Sequence, residues 1–360
     1  MPRLFQNFDV YPRYLQVLHA RTRGADFDRF RAAFMADRFI ALHMLKPTIE
    51  GSANAAFAIG GDPVSQRKWA RARGLKRRAT PEQILLAQIE EHGTEIFYNH
   101  DPVRFDSAFV RRLPGCVRTS IAWRAAPSGG GDFGAYDRVV CNFPSILEAY
   151  RARGWRTAWF APGHDPEMDA YAATRERPTD ILFVGTYSRH HRRRADLIAR
   201  VARLADRFRV RLHLYPSRLT LVAETIAGAI GPLRKHRRPP EISRIAEGPV
   251  FGRDLYAAIG AARIVINGAI DMAGPDRGNM RCWETLGCGA MMLSDEGSYP
   301  DGMENGRTFA AYRSVEDLAG KAEAFLADEE ARRTIAEAGN ALVRSRYGKD
   351  RQWRDFLELV

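Results

Sequence analysis

Cysteine is scarce and long apolar runs are missing, and each absence removes a class of protein. Four cysteines occur in 360 residues: Cys116, Cys141, Cys282 and Cys288. They are scattered, without the paired spacing of a metal site. That argues against a disulfide framework, and packed free thiols in a reducing cytoplasm are expected. No stretch reaches the ~20 apolar residues that a membrane-crossing helix needs. Residues 1–8 lack the apolar core of a secretory signal. Internal repeats and low-complexity tracts are absent too. Acidic residues fall short of basic ones, 43 against 55, for a net charge of +12.

What remains is an ordinary globular composition, 45% hydrophobic and 27% charged. At roughly 100–200 residues per domain the length suggests two domains. The positive excess gathers in three places: Arg67, Lys68, Arg71, Arg73, Lys76, Arg77 and Arg78; Arg189, Arg192, Arg193 and Arg194 with His190 and His191; and Arg234, Lys235, His236, Arg237 and Arg238. Such surfaces attract phosphorylated substrates, anionic lipid or nucleic acid, or are simply solvated. Apart from Trp69 no aromatic interleaves with them, and no helix-turn-helix or zinc spacing accompanies them, so nucleic acid is not the expected partner. Residues 67–78 are the expected site of any peripheral contact with an anionic membrane at its inner face.

Apolar runs and breakers predict alternating strands and helices. Strands are expected at 3–8, 95–98, 116–122, 136–142 and 156–160. Helices are expected at 27–39, 82–92, 105–113 and 145–153. Thr80-Pro81-Glu82-Gln83 has the form of a capping box, and Gly93 closes that helix. Residues 12–20 read as a helix or an irregular loop, and 44–62 as a loop. Residues 165–178 lack strand patterning and read as a linker. A second series follows, with strands at 180–186, 210–215, 263–267 and 290–294. Helices are expected there at 193–208, 256–262, 315–327, 329–347 and 352–359. The alternation predicts an α/β chain with parallel sheets, in which ligands sit at the carboxyl ends of strands. The expected domains are 1–165, a linker 166–178, 179–345, and a helical tail 346–360 that returns to the first domain.

The densest chemical signal is Asn279-Met280-Arg281-Cys282-Trp283-Glu284-Thr285-Leu286-Gly287-Cys288-Gly289, which lies between two apolar runs. Gly274, Pro275 and Gly278 predict a turn, and Asn279 a cap for a helix starting at Met280. A helix start offers free N–H groups and partial positive charge to a diphosphate. Glu284, one turn in, can accept hydrogen bonds from both hydroxyls of a ribose. The alternative is an ion pair with Arg281, three residues earlier on the same face.

This stretch resembles the nucleotide-sugar site of GT-B glycosyltransferases, of the retaining family-4 type (glycosyl transferases group 1) and the related CgeB-like group. Glu284 and Cys288-Gly289 fall on the family's second glutamate and its Cys-Gly, and Asn279-Met280-Arg281 resembles the CgeB-like variant. The family's first glutamate falls on Asp276, a shorter carboxylate. Ile181-Leu182-Phe183-Val184-Gly185-Thr186 resembles the strand and glycine turn that open the family's C-terminal domain. Tyr136 to Asn142, Gly154 and Pro162-Gly163-His164-Asp165-Pro166 resemble the end of its N-terminal domain.

The resemblance implies two Rossmann-like domains facing across a cleft. It implies transfer of a sugar, with retention, from a nucleotide-diphosphate donor to a hydroxyl of a glycan, lipid-linked or protein acceptor. Expected donor-binding residues are Gly185, Thr186, Arg189, Arg192, Arg193, Asn279, Met280, Arg281 and Glu284. Expected catalytic residues are Asp276 and, at the end of a central strand, His100 and Asp101. No cofactor or metal is expected, because the helix start and arginines would neutralise the diphosphate and the chain is expected to offer no Asp-x-Asp pair. His164 and Asp165 are expected to be structural, and Trp123 and Trp159 to be core. The rival readings are a sugar-nucleotide epimerase of the same fold and a basic protein that binds nucleic acid or membrane.

Overall fold

Short β-branched and aromatic runs build two all-parallel sheets in the computed structural model, which describes residues 1–226, 228, 231–268 and 274–360. The first sheet contains β1 (Leu4–Asn7), β2 (Ala55–Ala58), β3 (Ile96–Asn99), β4 (Thr119–Trp123), β5 (Arg138–Cys141) and β6 (Thr157–Trp159), in the order β2-β1-β3-β4-β5-β6. The second contains β7 (Thr179–Tyr187), β8 (Val210–Pro216), β9 (Ala246–Glu247), β10 (Ala262–Ile266), β11 (Met291–Asp295) and β12 (Ala310–Tyr312), in the order β12-β11-β10-β7-β8-β9. Central strands are buried at almost every position because helices cover both faces of a parallel sheet.

The chain forms two compact units. One comprises residues 1–163, 274–276 and 347–360; the other comprises, among the described residues, those of 164–268 and 277–346. The first core is rich in aromatics, among them Phe5, Phe97, Tyr98, Phe105, Phe109, Phe133 and Phe356. The second is mainly aliphatic, with Ile181, Ile198, Val201, Leu212, Ile264 and Leu293.

Local rules account for much of this. Helix Pro81–His92 opens on the predicted capping box, with Gln83 N–H donating to Thr80 Oγ1 (3.2 Å) and Thr80 N–H to Gln83 Oε1 (2.9 Å). It ends on Gly93 at φ 62°. Helices Val315–Ala327 and Glu329–Arg346 lie where their apolar period places them.

Several expectations change. Residues 44–62 are not a plain loop: they contain helix Lys46–Ile49 and strand β2. Alanine-rich β2 shows no alternation and is held by pairing with β1 alone, at the sheet's edge. Residues 12–20 resolve as helix Pro12–Arg21. The helix expected over 105–113 is a single turn, Ser107–Val110. The strand expected over 116–122 is β4, starting at Thr119 after turns at 114–117. The segment 165–178 contains helix Met168–Ala172, which packs on helix Gly252–Gly260. Trp123 is buried as expected, but Trp159 is 42% exposed.

Candidate active site

The second unit collects its polar groups at the carboxyl ends of β7, β10 and β11. Gly185 is not in a turn: β7 runs on to Tyr187, and Gly185 pairs with Leu214 of β8. A Cβ there would stand 3.1 Å from the Phe183 ring and 3.7 Å from Arg194 Nη1. Beyond it, Thr186, Arg189, Arg192 and Arg193 are exposed, and Arg189 Nη1 donates to the Lys235 carbonyl (3.0 Å).

Arg194 behaves differently. Its Nη2 donates to the carbonyl of Gly268, at the end of β10, at 2.6 Å. Burial lowers the guanidinium's pKa, Tyr312 and Asp295 oppose that, and nearby Arg281 adds to it. Arg194 is not among the expected donor-binding residues, although its neighbours Arg192 and Arg193 are. The helical period carried the signal: positions 194, 197, 198 and 201 share one face, and Leu197, Ile198 and Val201 are buried. Asn267 and Gly268, just past β10, were also missed, although a strand-end glycine marks a close backbone approach.

Helix Met280–Gly287 starts where predicted, but Asn279 does not cap it through its side chain. That amide instead exchanges hydrogen bonds with the Asn267 amide, at 3.0 and 3.1 Å. Asn267 also donates to Ser294 Oγ of β11 (3.1 Å), so one amide pair ties the helix start to two strand ends. Arg281 Nη1 donates to Glu284 Oε2 at 2.6 Å. This is the predicted alternative, but it is a buried pair, with side chains 15% and 6% exposed. Arg281 Nε is buried with no hydrogen-bond partner among the described residues. Burial raises the Glu284 carboxyl, and Arg281 partly offsets it. Close by in sequence, Arg277 pairs with Asp295 at 2.7 Å.

Asp276 packs with the first unit, where its Oδ2 accepts the Ser145 N–H at 2.7 Å. His164 and Asp165 brace the second unit. His164 Nε2 lies 2.9 Å from Asp169 Oδ1, and Asp165 accepts the Tyr256 hydroxyl at 3.4 Å. Burial lifts the Cys282 thiol to about 12 and the Cys288 thiol well above its ordinary value, which leaves both as packing groups.

The first unit presents a second set of groups at the ends of β1, β2 and β3. Asn7 Nδ2 donates to Asn99 Oδ1 (2.8 Å), and Asn7 Oδ1 accepts the Gly60 N–H (2.8 Å). A Cβ on Gly60 would sit 2.6 Å from that oxygen, so the clip needs glycine. His100 packs among Phe8, Tyr98, His43 and Trp123, with ring centroids 4.4–6.3 Å away. Burial drives its imidazole far below the ordinary range, so it is neutral. His100 Nε2, His43 Nδ1 and the Tyr98 hydroxyl are buried without partners among the described residues. Asp101 accepts from Arg104 Nε at 3.1 Å, yet burial still raises its carboxyl.

Asp9, which follows β1, was not singled out by the sequence. Its side chain is open to solvent, but crowding by protein and then the Asp101 carboxylate raise it to about 6, against Arg104, Arg124 and the Val10 N–H. The folded chain thus holds this proton more tightly than the unfolded chain. The resulting stability is full below the ordinary carboxylate value and is lost as pH rises through about 6. Asp9→Asn should therefore melt above the wild type near pH 8 and level with it near pH 4. Solvent screening keeps the gain under about 1 kcal/mol. Thermal melts at the two pH values check this, and equal differences at both would refute it.

An Asp-x-Asp pair does occur in the first unit, Asp26-Phe27-Asp28, and it serves a helix start. Asp26 accepts the Arg29 N–H at 2.8 Å and Asp28 lies 4.0 Å from Arg31. Among the described residues no three His, Cys, Asp or Glu side chains are grouped to hold a metal.

Residues 192–358 match the family model described as glycosyl transferase-like. No curated protein matches the chain. Among solved structures, the chain is similar to Anabaena HepE in complex with UDP-glucose. The TM-score is 0.62 at 13% identity, over 99% of this chain and 98% of that one. It is similar to a glycosyltransferase from Rickettsia africae (TM-score 0.56, 12% identity, 99% and 97% covered). It is also similar to sucrose-phosphate synthase from Thermosynechococcus elongatus (TM-score 0.54, 13% identity, 99% and 98% covered). The fold is α/β and GT-B, built from two Rossmann-like units, as the resemblance implied.

Proposed function

We propose that this chain, a glycosyltransferase of the GT-B fold by its glycosyl transferase-like half and its architecture, moves a hexosyl group from a nucleoside-diphosphate sugar to a hydroxyl of a glycan, lipid-linked or protein acceptor, with retention and without a metal. The observation that carries this reading is the inward pair of cations in the second unit. Arg194 bonds the end of β10, and Arg281 keeps a buried Nε unpartnered beside a helix start that lacks a side-chain cap. A buried cation with an unused donor is costly unless an anion completes it. A diphosphate gains charge as the sugar leaves, so fixed guanidinium groups and helix N–H groups lower that barrier. Arg189, Arg192 and Arg193 supply a wider positive field.

Glu284 takes the ribose hydroxyls, with Arg281 fixing its rotamer. Gly185 and Thr186 let backbone approach the donor, and Asn279 and Met280 offer the helix start. In the first unit Asp101 orients the acceptor hydroxyl and receives its proton, while neutral His100 offers Nε2 to a sugar hydroxyl. Asp276 is assigned to the donor sugar. In the transfer, the bond from the anomeric carbon to the diphosphate oxygen breaks. The acceptor oxygen bonds to that carbon on the same face, and its proton leaves to Asp101.

A thermal-shift screen across nucleotide sugars tests the reading. Ligand at a hundred times its Kd stabilises the fold by about 2.7 kcal/mol, so the true donor class stands out. Arg194→Met should weaken that donor about 10- to 100-fold by calorimetry, the worth of one charged hydrogen bond. The reading fails if no nucleotide sugar shifts the melt, or if Arg194→Met binds the donor as the wild type does.

A further inference from the structure

Among the described residues of 217–238, the large apolar side chains Leu219, Leu221, Val222 and Ile226 face outward. Helix Arg218–Ala223 buries Thr220 and Ala223, the two residues that an amphipathic helix would readily expose. Leu219, Leu221 and Val222 are 43%, 55% and 50% exposed, and Ile226, just beyond, is 95% exposed. The other exposed large apolar side chains, such as Met1, Val64 and Val103, are scattered along the chain. Single exposed apolar residues are ordinary, but a contiguous group marks an interaction surface.

Positive charge adjoins this group. The helix packs on the turn Pro232–His236, which carries exposed Arg234 and Lys235. Arg189 Nη1 bonds the Lys235 carbonyl, and the His190 and His236 rings lie 5.4 Å apart. Two basic runs that are 40 residues apart in sequence therefore merge into one surface. Glu224 is already spent: both its carboxylate oxygens accept from Arg238 at 2.6 Å. Arg218, Arg234 and Lys235 have no ion pair among the described residues.

We propose that Leu219, Leu221, Val222 and Ile226, with Arg218, Arg234 and Lys235, dock the protein on the surface of an anionic lipid bilayer. Apolar side chains enter the boundary between headgroups and acyl chains while cations meet the phosphates, and this pairing is what an interfacial surface needs. The run at residues 67–78 lacks the apolar half of that pairing: Val64 is the exposed large apolar side chain nearest to it, and Arg73 is paired with Glu91. A surface for RNA would have no use for the aliphatic group. A second copy of the chain would bring like charges together.

Sedimentation with vesicles of mixed phosphatidylglycerol and phosphatidylcholine, against phosphatidylcholine alone, is the test. The wild type should pellet with the anionic vesicles only. The triple variant Leu221→Ser/Val222→Ser/Ile226→Ser should lose about tenfold in bound fraction, and so should Arg234→Glu/Lys235→Glu. Both sets change exposed side chains, so melting temperature and donor affinity should match the wild type. In Ile226→Trp, indole emission should shift to the blue on anionic vesicles. The proposal is overturned if binding shows no preference for anionic lipid. It is equally overturned if the triple variant binds as well as the wild type while salt alone releases both, which would mark a general polyanion surface. A dimer that the triple variant converts to monomer, with no vesicle binding by the wild type, would assign the surface to a second copy instead.

Discussion

Glu284→Gln weakens donor binding about 10- to 100-fold with the protein still folded, whereas Glu284→Ala costs both binding and stability. The asymmetry follows from the pair that Glu284 forms with Arg281. Both side chains are largely buried, and Arg281 Nη1 reaches Glu284 Oε2 at 2.6 Å. Alanine leaves a buried guanidinium without its counter-ion, a loss of about 3–5 kcal/mol. Glutamine keeps the length and one accepting oxygen, so Arg281 retains a partner and most of that loss is avoided.

The ribose makes a different demand. Two adjacent hydroxyls both donate, and a carboxylate can accept both, but an amide offers one oxygen and turns a donor toward the other. One charge-assisted hydrogen bond is worth about 1.5–3 kcal/mol, which sets the range given for Gln. Burial has already raised the Glu284 carboxyl. Donor affinity should therefore fall as the medium becomes acidic, and Glu284→Gln should abolish that fall. Calorimetry on both variants, alongside thermal melts, separates the two roles. If Glu284→Gln binds every nucleotide sugar as the wild type does while Glu284→Ala only melts earlier, then Glu284 holds the helix and not the ligand.

Features of the fold with a local cause are legible in the sequence, and those with a distant cause are not. Thr80 and Gln83 announce a helix start because a capping box is completed within four residues. Ile96–Asn99 and Met291–Asp295 read as strands because a sheet covered on both faces demands continuous apolar runs. The strands β9 and β12 went unseen, since pieces of two and three residues gain their conformation from a neighbouring strand. Alanine-rich β2 hid for the same reason.

The candidate site divides in the same way. Glu284 and Arg281 are neighbours on one helix, so spacing alone foresaw their contact. The inward turn of Arg194 among exposed arginines follows from its helical phase, a readable cue that charge counting obscures. The Asn267–Asn279 amide pair joins residues from two elements, and no local pattern distinguishes it from an ordinary cap. Asp276 was placed by its distance from Glu284 in sequence, yet its carboxylate meets Ser145, 131 residues away.

Lys349 is the extreme case of a cause that lies outside local sequence, and replacing it should destabilise the first unit by about 3 kcal/mol or more. At the start of helix Lys349–Leu357 a lysine reads as a solvated charge. Instead its side chain is buried, and Nζ donates to the carbonyls of Ala41 (2.7 Å), Leu42 (3.2 Å) and Met44 (2.7 Å) and to Gln352 Oε1 (3.0 Å). Gln352 in turn donates to the Leu42 and Ala161 carbonyls, and the Gly163 N–H also meets Leu42. Phe356, two turns on, is fully buried against Tyr98 and Phe160. One ammonium therefore satisfies carbonyls in a bend some 300 residues earlier and seats the last helix on the aromatic core.

Lys349→Met keeps the apolar stem and leaves those carbonyls short of donors in a dry environment. Each such loss costs about 1–3 kcal/mol, and part is recovered because Gln352 and Gly163 still serve Leu42. Lys349→Arg should not rescue it, because a planar fork cannot meet carbonyls that surround a point charge. A loss of 3 kcal/mol corresponds to roughly 6–12 °C in the melting of a unit of this size. Removing the Lys349 charge should also let the buried His43 imidazole rise from about 3, since that charge is the second cause of its depression after burial. Donor affinity belongs to residues 179–345 in the proposed function, so it should persist below the lowered melt. A melt for Lys349→Met level with the wild type would mean that water replaces the ammonium among these carbonyls without cost.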